Sequence, residues 1–218
     1  MLGNLDVSFD LLAPHYRTLE SIAFGDALQR SRIACLAEID PPRKALLVGE
    51  GNGRFLAALL ARYPDVAVDC IDASSRMLQI ASRRLERASK YDAKVQFIHE
   101  DVRSSIGLTT RYDLIVTHFF LDCFPERTAR TIVKKLGSVA THHATWLLAD
   151  FRLPNNKISR FRARIWLKAM YLFFRFTTRI EADDLVDPEP FLVAEQFNLI
   201  RQHLFRGGLL KSELWQRM

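Results

Sequence analysis

One stretch limits what this chain can fold into more than any other: Ala45-Leu46-Leu47-Val48-Gly49-Glu50-Gly51-Asn52-Gly53-Arg54-Phe55-Leu56. Apolar residues run to Val48, three glycines alternate with other residues, and Phe55 to Leu60 open a helical run. That is the pattern of a buried strand, a tight turn and a helix start, the form in which a sheet presents backbone N–H groups to a nucleotide-like ligand. Glycine is required where the backbone turns with positive φ, or where a ligand comes too close to leave room for a Cβ. The dinucleotide fingerprint places its last glycine further along. Here Gly49, Gly51 and Gly53 are each separated by one residue.

The rest of the chain supplies the setting. Its 218 residues, 49% of them apolar, fit one α/β domain with a single core and an appended helical segment. Cys35, Cys70 and Cys123 are scattered and odd in number, which makes neither a disulfide framework nor a metal-ligand pattern; a reducing compartment is expected, with no metal. Met1 to Asp10 lacks the basic start and apolar run of a secretory leader, and no stretch has the length of uncharged apolar sequence that a spanning helix needs. The expectation is a cytoplasmic protein. A net charge of +6 permits a polyanionic or membrane-surface partner without demanding one.

Residues 8–38 carry a helical period, interrupted at Pro14, with a longer helix expected from about Ser21. Asp40-Pro41-Pro42 ends that segment. Strands then alternate with helices: strands at Lys44 to Val48, Val66 to Ile71, Lys94 to Ile98, Tyr112 to Thr117 and Thr145 to Asp150, with helices from Ser74 to about Ser89 and from Glu126 to Val139. Such alternation predicts a parallel sheet with helices on both faces, which binds ligands at the carboxyl ends of its strands. After Asp150 come a basic and aromatic helical stretch over 156–180, a turn at Asp187-Pro188-Glu189-Pro190 and a short helix from Phe191 to Glu195. Two final strands, Gln196 to Phe205 and Leu209 to Gln216, flank Gly207-Gly208 and are expected to pair antiparallel.

Residues suited to an adenosine ligand stand at four successive strand ends. Asp72 follows the second strand about 20 residues after the glycine turn, where an acid accepts hydrogen bonds from a ribose diol. Asp101-Val102 follow the third strand, within reach of an adenine amino group, and Thr117-His118 end the fourth beneath the same crevice.

On these residues the chain resembles the class I methyltransferases that use S-adenosylmethionine, from about Lys44 to Asp150. The resemblance implies a Rossmann-like, seven-stranded, mostly parallel sheet with an antiparallel last strand and an amino-terminal helical lid. It gives Gly49, Gly51 and Gly53 to the cofactor's methionine part, Asp72 to the ribose, and Asp101 to the adenine, with Ala73 and Met77 flanking that base. Two departures stand out. The acid that the family often carries two residues before the first glycine is replaced by Leu47, and Glu50, inside the turn, is the candidate to face the cofactor's ammonium group. The fourth strand ends in Thr117-His118-Phe119-Phe120-Leu121-Asp122-Cys123-Phe124-Pro125, not in the Asn/Asp-Pro-Pro-aromatic pattern of many amino-group enzymes. Phe9-Asp10-Leu11-Leu12-Ala13-Pro14-His15-Tyr16 is similar to the entry segment of the quinone-biosynthesis and small-lipid methyltransferases, which implies that Tyr16 closes over the cofactor's carboxylate.

Each site residue also has a plain structural reading. Asp72 is a good cap for the helix near Ser74, and Asp101 is an ordinary turn acid. His118 titrates near neutrality and is the candidate general base, with Asp122 to orient it or act on substrate, yet a histidine at a buried strand end is as often a satisfied core residue. Methyl transfer from a sulfonium needs mainly alignment and desolvation. In 157–176, Arg160, Arg164 and Lys168 share a helical face, and Phe161, Ile165, Leu172 and Phe176 form a broad apolar side. A solvated amphipathic helix, a lid over a lipophilic substrate, a peripheral membrane contact and a dimer contact all fit it; single-stranded nucleic acid ranks below them.

The expected organisation is thus one domain: a lid over 1–40, a cofactor core over 41–150, and a substrate-side helix with the terminal strand pair over 151–218. The expected activity is methyl transfer from S-adenosylmethionine to a small apolar or aromatic acceptor such as a quinone precursor, lipid or natural product. A nucleic-acid methyltransferase and a non-catalytic interaction protein of the same fold are the alternatives.

Overall fold

The computed structural model describes residues 26–88, 94–104, 110–154, 156 and 185–218. Tyr16 and the basic stretch over 157–176 lie outside these. Seven strands make one sheet: β1 Lys44–Val48, β2 Ala67–Asp72, β3 Val95–His99, β4 Tyr112–His118, β5 Ala140–Phe151, β6 Phe197–Phe205 and β7 Leu210–Arg217. The described helices are α1 Ala27–Ile33, α2 Arg54–Arg62, α3 Ser75–Ala88, α4 Glu126–Ser138 and α5 Glu189–Ala194.

The spatial order is β3-β2-β1-β4-β5-β7-β6. Neighbours from β3 to β5 run parallel, whereas β7 lies antiparallel to both β5 and β6. Chain order reverses direction between β1 and β4, which opens the crevice at their carboxyl ends. Because β1 is covered on both sides, it reads as a continuous apolar run. Leu46 and Val48 pack with Trp146, Leu148 and Trp215 beneath α4 and α5. Ala45 and Leu47 face the other way, against Phe55, Leu56, Leu59 and Leu60 of α2.

The structure corrects two boundaries. The fifth strand was expected from Thr145 and begins at Ala140, with its register against β4 shifting between Tyr112 and Leu114. Thr141-His142-His143 has no apolar alternation, and both histidines are exposed where the register shifts, so no burial pattern marks this part of the strand. The amino-terminal helical segment, expected to continue through residue 38, leaves the α-helix at Ile33 and tightens into a 3₁₀ turn at Leu36–Glu38. That turn is held from outside, since the Tyr63 hydroxyl lies 2.8 Å from the Ile39 carbonyl and 3.2 Å from that of Leu36.

Candidate active site

The glycine turn leaves β1 with Gly49, Gly51 and Gly53 all at positive φ (67°, 68° and 75°). A Cβ on Gly49 would stand 2.2 Å from the Phe120 ring, and one on Gly53 would stand 2.8 Å from Cα of Ala81 on α3. Packing therefore requires those two glycines. Gly51 is different: among the described residues nothing lies within 4 Å of the place a Cβ would take, at the carboxyl end of β1. The Gly51 N–H donates to Asp72 Oδ2 at 3.0 Å, which ties the turn to the end of β2.

Gly53 sits at the N-cap of α2 in a left-handed conformation and has no side chain with which to cap it. Glu50 does this instead, its Oε1 accepting the N–H groups of Phe55 at 2.8 Å and Leu56 at 3.0 Å. Burial pushes the Glu50 carboxyl up to about 7, aided by the Asp72 charge and opposed by those two N–H groups and by Arg32. Arg32, on α1, is itself buried, with its guanidinium 5.1 Å from the centre of the Phe119 ring.

At the ends of β2 and β3, the plain and the functional readings coexist. Asp72 Oδ1 accepts the Ser74 N–H at 2.9 Å, and Ser74 Oγ caps α3 by accepting the Met77 N–H at 3.1 Å. The Ala73 carbonyl lies 3.0 Å from His99 Nε2. Burial acts to raise the pKa of Asp101, but the hydrogen bonds and charge of Arg103 outweigh it, so the carboxyl is held below its usual range. Val102 and Met77 are buried, and the Val102 carbonyl accepts from Lys135 Nζ at 2.8 Å.

At the end of β4, the Thr117 hydroxyl accepts Trp146 Nε1–H at 2.8 Å, a core hydrogen bond. His118 faces the opposite side of the sheet, edge-on to Phe55 at 4.5 Å between ring centres. Its Nδ1 has no partner among the described residues. Burial first, and then the Arg32 charge, hold its pKa well below the usual value, so the imidazole is neutral at physiological pH. Phe119 turns the chain with φ of 52°, a strained conformation for a bulky residue. Asp122 is buried in the following 3₁₀ turn, Leu121–Cys123. Phe119 packs on Phe151, and with Leu28, Leu153, Leu185, Phe205, Leu209 and Leu210 they form an apolar cluster separate from the two main cores.

Two charged groups at this edge, Arg32 and Asp150, were not singled out in the sequence. A single acid closing an apolar strand was a visible signal for Asp150. No pattern marks Arg32, because its surroundings arise only when α1 docks on the sheet.

Sheet order, glycine turn and the acid bonded to it define the class: this is the Rossmann-like fold of class I methyltransferases. Residues 45–142 match the family model described as a methyltransferase domain. Over 160 residues the chain is 28% identical to a demethylmenaquinone methyltransferase of Thermotoga maritima, covering 72% of this chain and 65% of that relative. An O-methyltransferase family protein from Burkholderia thailandensis superposes with a TM-score of 0.66 at 17% identity, covering 88% of this chain and 57% of that one. The magnesium protoporphyrin IX methyltransferase of Synechocystis, solved with SAH bound, gives a TM-score of 0.64 at 19% identity and covers 88% and 82% of the two chains. The chain thus spans less than two thirds of the Thermotoga and Burkholderia proteins.

Proposed function

We propose that this protein transfers a methyl group from S-adenosylmethionine to a small, apolar or aromatic acceptor, a quinone precursor, lipid or natural product. The observation that carries this reading is the Gly49–Gly53 turn, whose middle glycine has no described residue within 4 Å of where a Cβ would stand, while its N–H is held by the acid of the next strand. When bound, the cofactor supplies an electrophilic methyl group on a sulfonium. The chain's own residues do the rest. Gly51 lets the backbone approach the ligand without a Cβ, Glu50 offers its second oxygen toward an ammonium group, and Asp72 accepts from the ribose hydroxyls. Asp101 and Val102, with Ala73 and Met77, form the adenine side, and Tyr16 is the proposed closure over the cofactor carboxylate. The Phe119–Phe151 cluster supplies an apolar surface next to the reacting edge, and His118, neutral and buried with Nδ1 unpartnered among the described residues, is the candidate to accept a hydrogen bond from the acceptor.

The domain reading follows: a lid over 1–40, a cofactor core over 41–150 and a substrate side over 151–218. Among the described residues no helix is long and apolar enough to cross a membrane. Contact with a membrane surface, or between two copies, through 157–176 rests on the sequence pattern of that stretch.

The test is calorimetric titration with S-adenosylmethionine and S-adenosylhomocysteine. Micromolar binding of both is expected. Asp72→Ala removes a charged acceptor of ribose hydrogen bonds, each of which contributes about 1.5–3 kcal/mol, so the affinity should fall at least about tenfold. Unchanged affinity in Asp72→Ala would sink the assignment of the ribose site, and no binding by the native protein would sink the activity.

A further inference from the structure

Toward the outer edge of the sheet, three side chains of the kinds that hold a transition metal come together. Cys35 and Glu38 flank and close the 3₁₀ turn before β1. His203 stands on β6, which β4, β5 and β7 separate from β1 and its glycine turn. The Cys35 sulfur, a Glu38 carboxylate oxygen and a His203 ring nitrogen all lie within 4.8 Å of one another. Within that group Glu38 Oε1 is 2.6 Å from His203 Nε2. The sequence shows no metal-ligand spacing, because the third group arrives from 165 residues beyond Glu38.

Each of the three is held from behind. The Tyr63 hydroxyl bonds the Leu36 and Ile39 carbonyls, which anchors the turn that carries Cys35 and Glu38. Ser212 of β7 is paired in register with His203, and directly opposed residues of an antiparallel pair share a face. The Ser212 hydroxyl lies 3.5 Å from Cys35 Sγ, so the sulfur stands over the face that carries the imidazole. Arg201, two residues before His203 and on the same face, donates from Nε to Glu38 Oε2 at 3.0 Å, which turns Oε1 toward the imidazole. Cys35 is 1% exposed, whereas the side chains of Glu38 and His203 are 31% and 39% exposed, so an ion from solvent enters on their side.

We propose that Cys35, Glu38 and His203 bind a zinc ion that bridges the turn before β1 and the outer strand β6, with a water as the fourth ligand. Thiolate, imidazole and carboxylate are zinc donors, and three protein groups plus water is the coordination of an open zinc site. Magnesium and calcium, by contrast, take oxygen ligands. Zinc bonds of about 2.0–2.3 Å put tetrahedral ligand atoms roughly 3.3–3.8 Å apart. That separation falls between the 2.6 Å of the Glu38–His203 pair and the 4.8 Å that bounds all three, and rotation of the two part-exposed side chains covers the difference. On binding, the Cys35 S–H proton leaves to water and the sulfur gives its electron pair to the metal. Glu38 Oε1 and His203 Nε2, which bond each other in the metal-free protein, turn to the ion instead. The Ser212 hydroxyl then donates to the thiolate while Arg201 keeps the carboxylate oriented, as outer-shell partners do. Thiolate and carboxylate together cancel the charge of the ion, so Arg201 does not face a net positive centre.

Zinc is d¹⁰ and has no visible spectrum, so cobalt(II) is the spectroscopic probe. It is titrated into the full-length protein after metal removal with EDTA. One cobalt per chain is expected, with a thiolate-to-metal charge-transfer band in the near ultraviolet and strong tetrahedral bands in the visible, all lost on adding zinc. Cys35→Ser should lose the charge-transfer band although Cys70 and Cys123 remain. Zinc affinity is then measured by competition with a chromophoric chelator. His203→Ala should weaken it at least about tenfold, since loss of an outer-shell partner alone costs about 10–100-fold. Zinc should also raise the Tm of the native protein and leave that of His203→Ala unchanged. His203 is part-exposed, so its variant decides the matter should Cys35→Ser fail to fold. No charge-transfer band in the native protein overturns the proposal, as does a band that survives Cys35→Ser. Equal zinc affinity in the native protein and His203→Ala overturns it too.

Discussion

Glu50 does two things that a carboxylate seldom combines. Its Oε1 closes the amino end of α2, a task that the left-handed Gly53 cannot perform, and burial holds its proton to about pH 7. The sign of the consequence follows from linkage. The folded, ligand-free protein binds a proton at Glu50 in the window between the ordinary value of 4.5 and about 7, where the unfolded chain does not. Stability therefore falls as pH rises through that window. Ligand binding runs the other way. If the ionised carboxyl faces the cofactor's ammonium group, binding releases this proton, and affinity for S-adenosylhomocysteine should strengthen by up to about tenfold per pH unit up to pH 7 and then level off. Glu50→Gln keeps an oxygen for the cap and should flatten that profile. A native profile already flat between pH 5.5 and 8 would show that Glu50 is a cap alone.

Among the elements, the short 3₁₀ turn at Leu36–Glu38 fastens the segment before β1 to the far edge of the sheet. Glu38 reaches β6, with Oε2 accepting from Arg201 Nε at 3.0 Å and Oε1 lying 2.6 Å from His203 Nε2. The hydrogen bond from His203 is the main cause that lowers the Glu38 pKa, and the charges of His203 and Arg201 add to it. A lowered acid stabilises the fold above its unfolded pKa and loses that contribution as pH falls through the folded one. The pair is partly exposed, so Glu38→Gln should cost no more than about 1 kcal/mol at pH 7, a few degrees in Tm. The difference from the native protein should shrink toward zero as pH falls below the ordinary carboxylate range. A gap in Tm that persists at pH 3 would mean that packing, not charge, holds this contact.

The same scale shows what a sequence makes legible. β1, β2 and β4 stand out as apolar runs because helices cover both faces, and the glycine turn and Asp72 stand out because backbone geometry and spacing restrict them. The early part of β5 does not, since His142 and His143 are exposed and fall where the register against β4 shifts. Nor did residues 34–38 show where the α-helix would stop; that depends on Tyr63, more than 20 residues later. The site divides in the same way. Positions fixed by the local backbone were readable, whereas Asp150 and Arg32 acquire their character from distant partners: Asp122, Lys211 and Glu213 for the one, Phe119 for the other.

For the molecule as a whole, the telling fact is that the last strand in sequence is not at an edge. β7 lies between β5 and β6, and it buries Leu210, Ser212, Glu213 and Trp215. Trp215 packs into the main core with Trp146 and Phe197, so the carboxyl terminus completes the same core that lies beneath β1 and α4. Losing one buried Trp costs about 3–5 kcal/mol, a large part of the 5–15 kcal/mol that a whole domain has to spare. Deleting residues 209–218 removes that Trp together with the pairing partner of both neighbouring strands, and leaves β6 with no neighbour. The truncated chain should therefore show no cooperative urea transition by circular dichroism and no S-adenosylhomocysteine binding, although every proposed cofactor residue remains. The folding of such a chain depends on contacts between distant segments, which also predicts slow refolding of the intact protein relative to helical domains of its size. If the truncated chain instead unfolds cooperatively and binds the ligand, β1 to β5 with their helices form a self-sufficient unit, and the terminal pair serves the acceptor side alone.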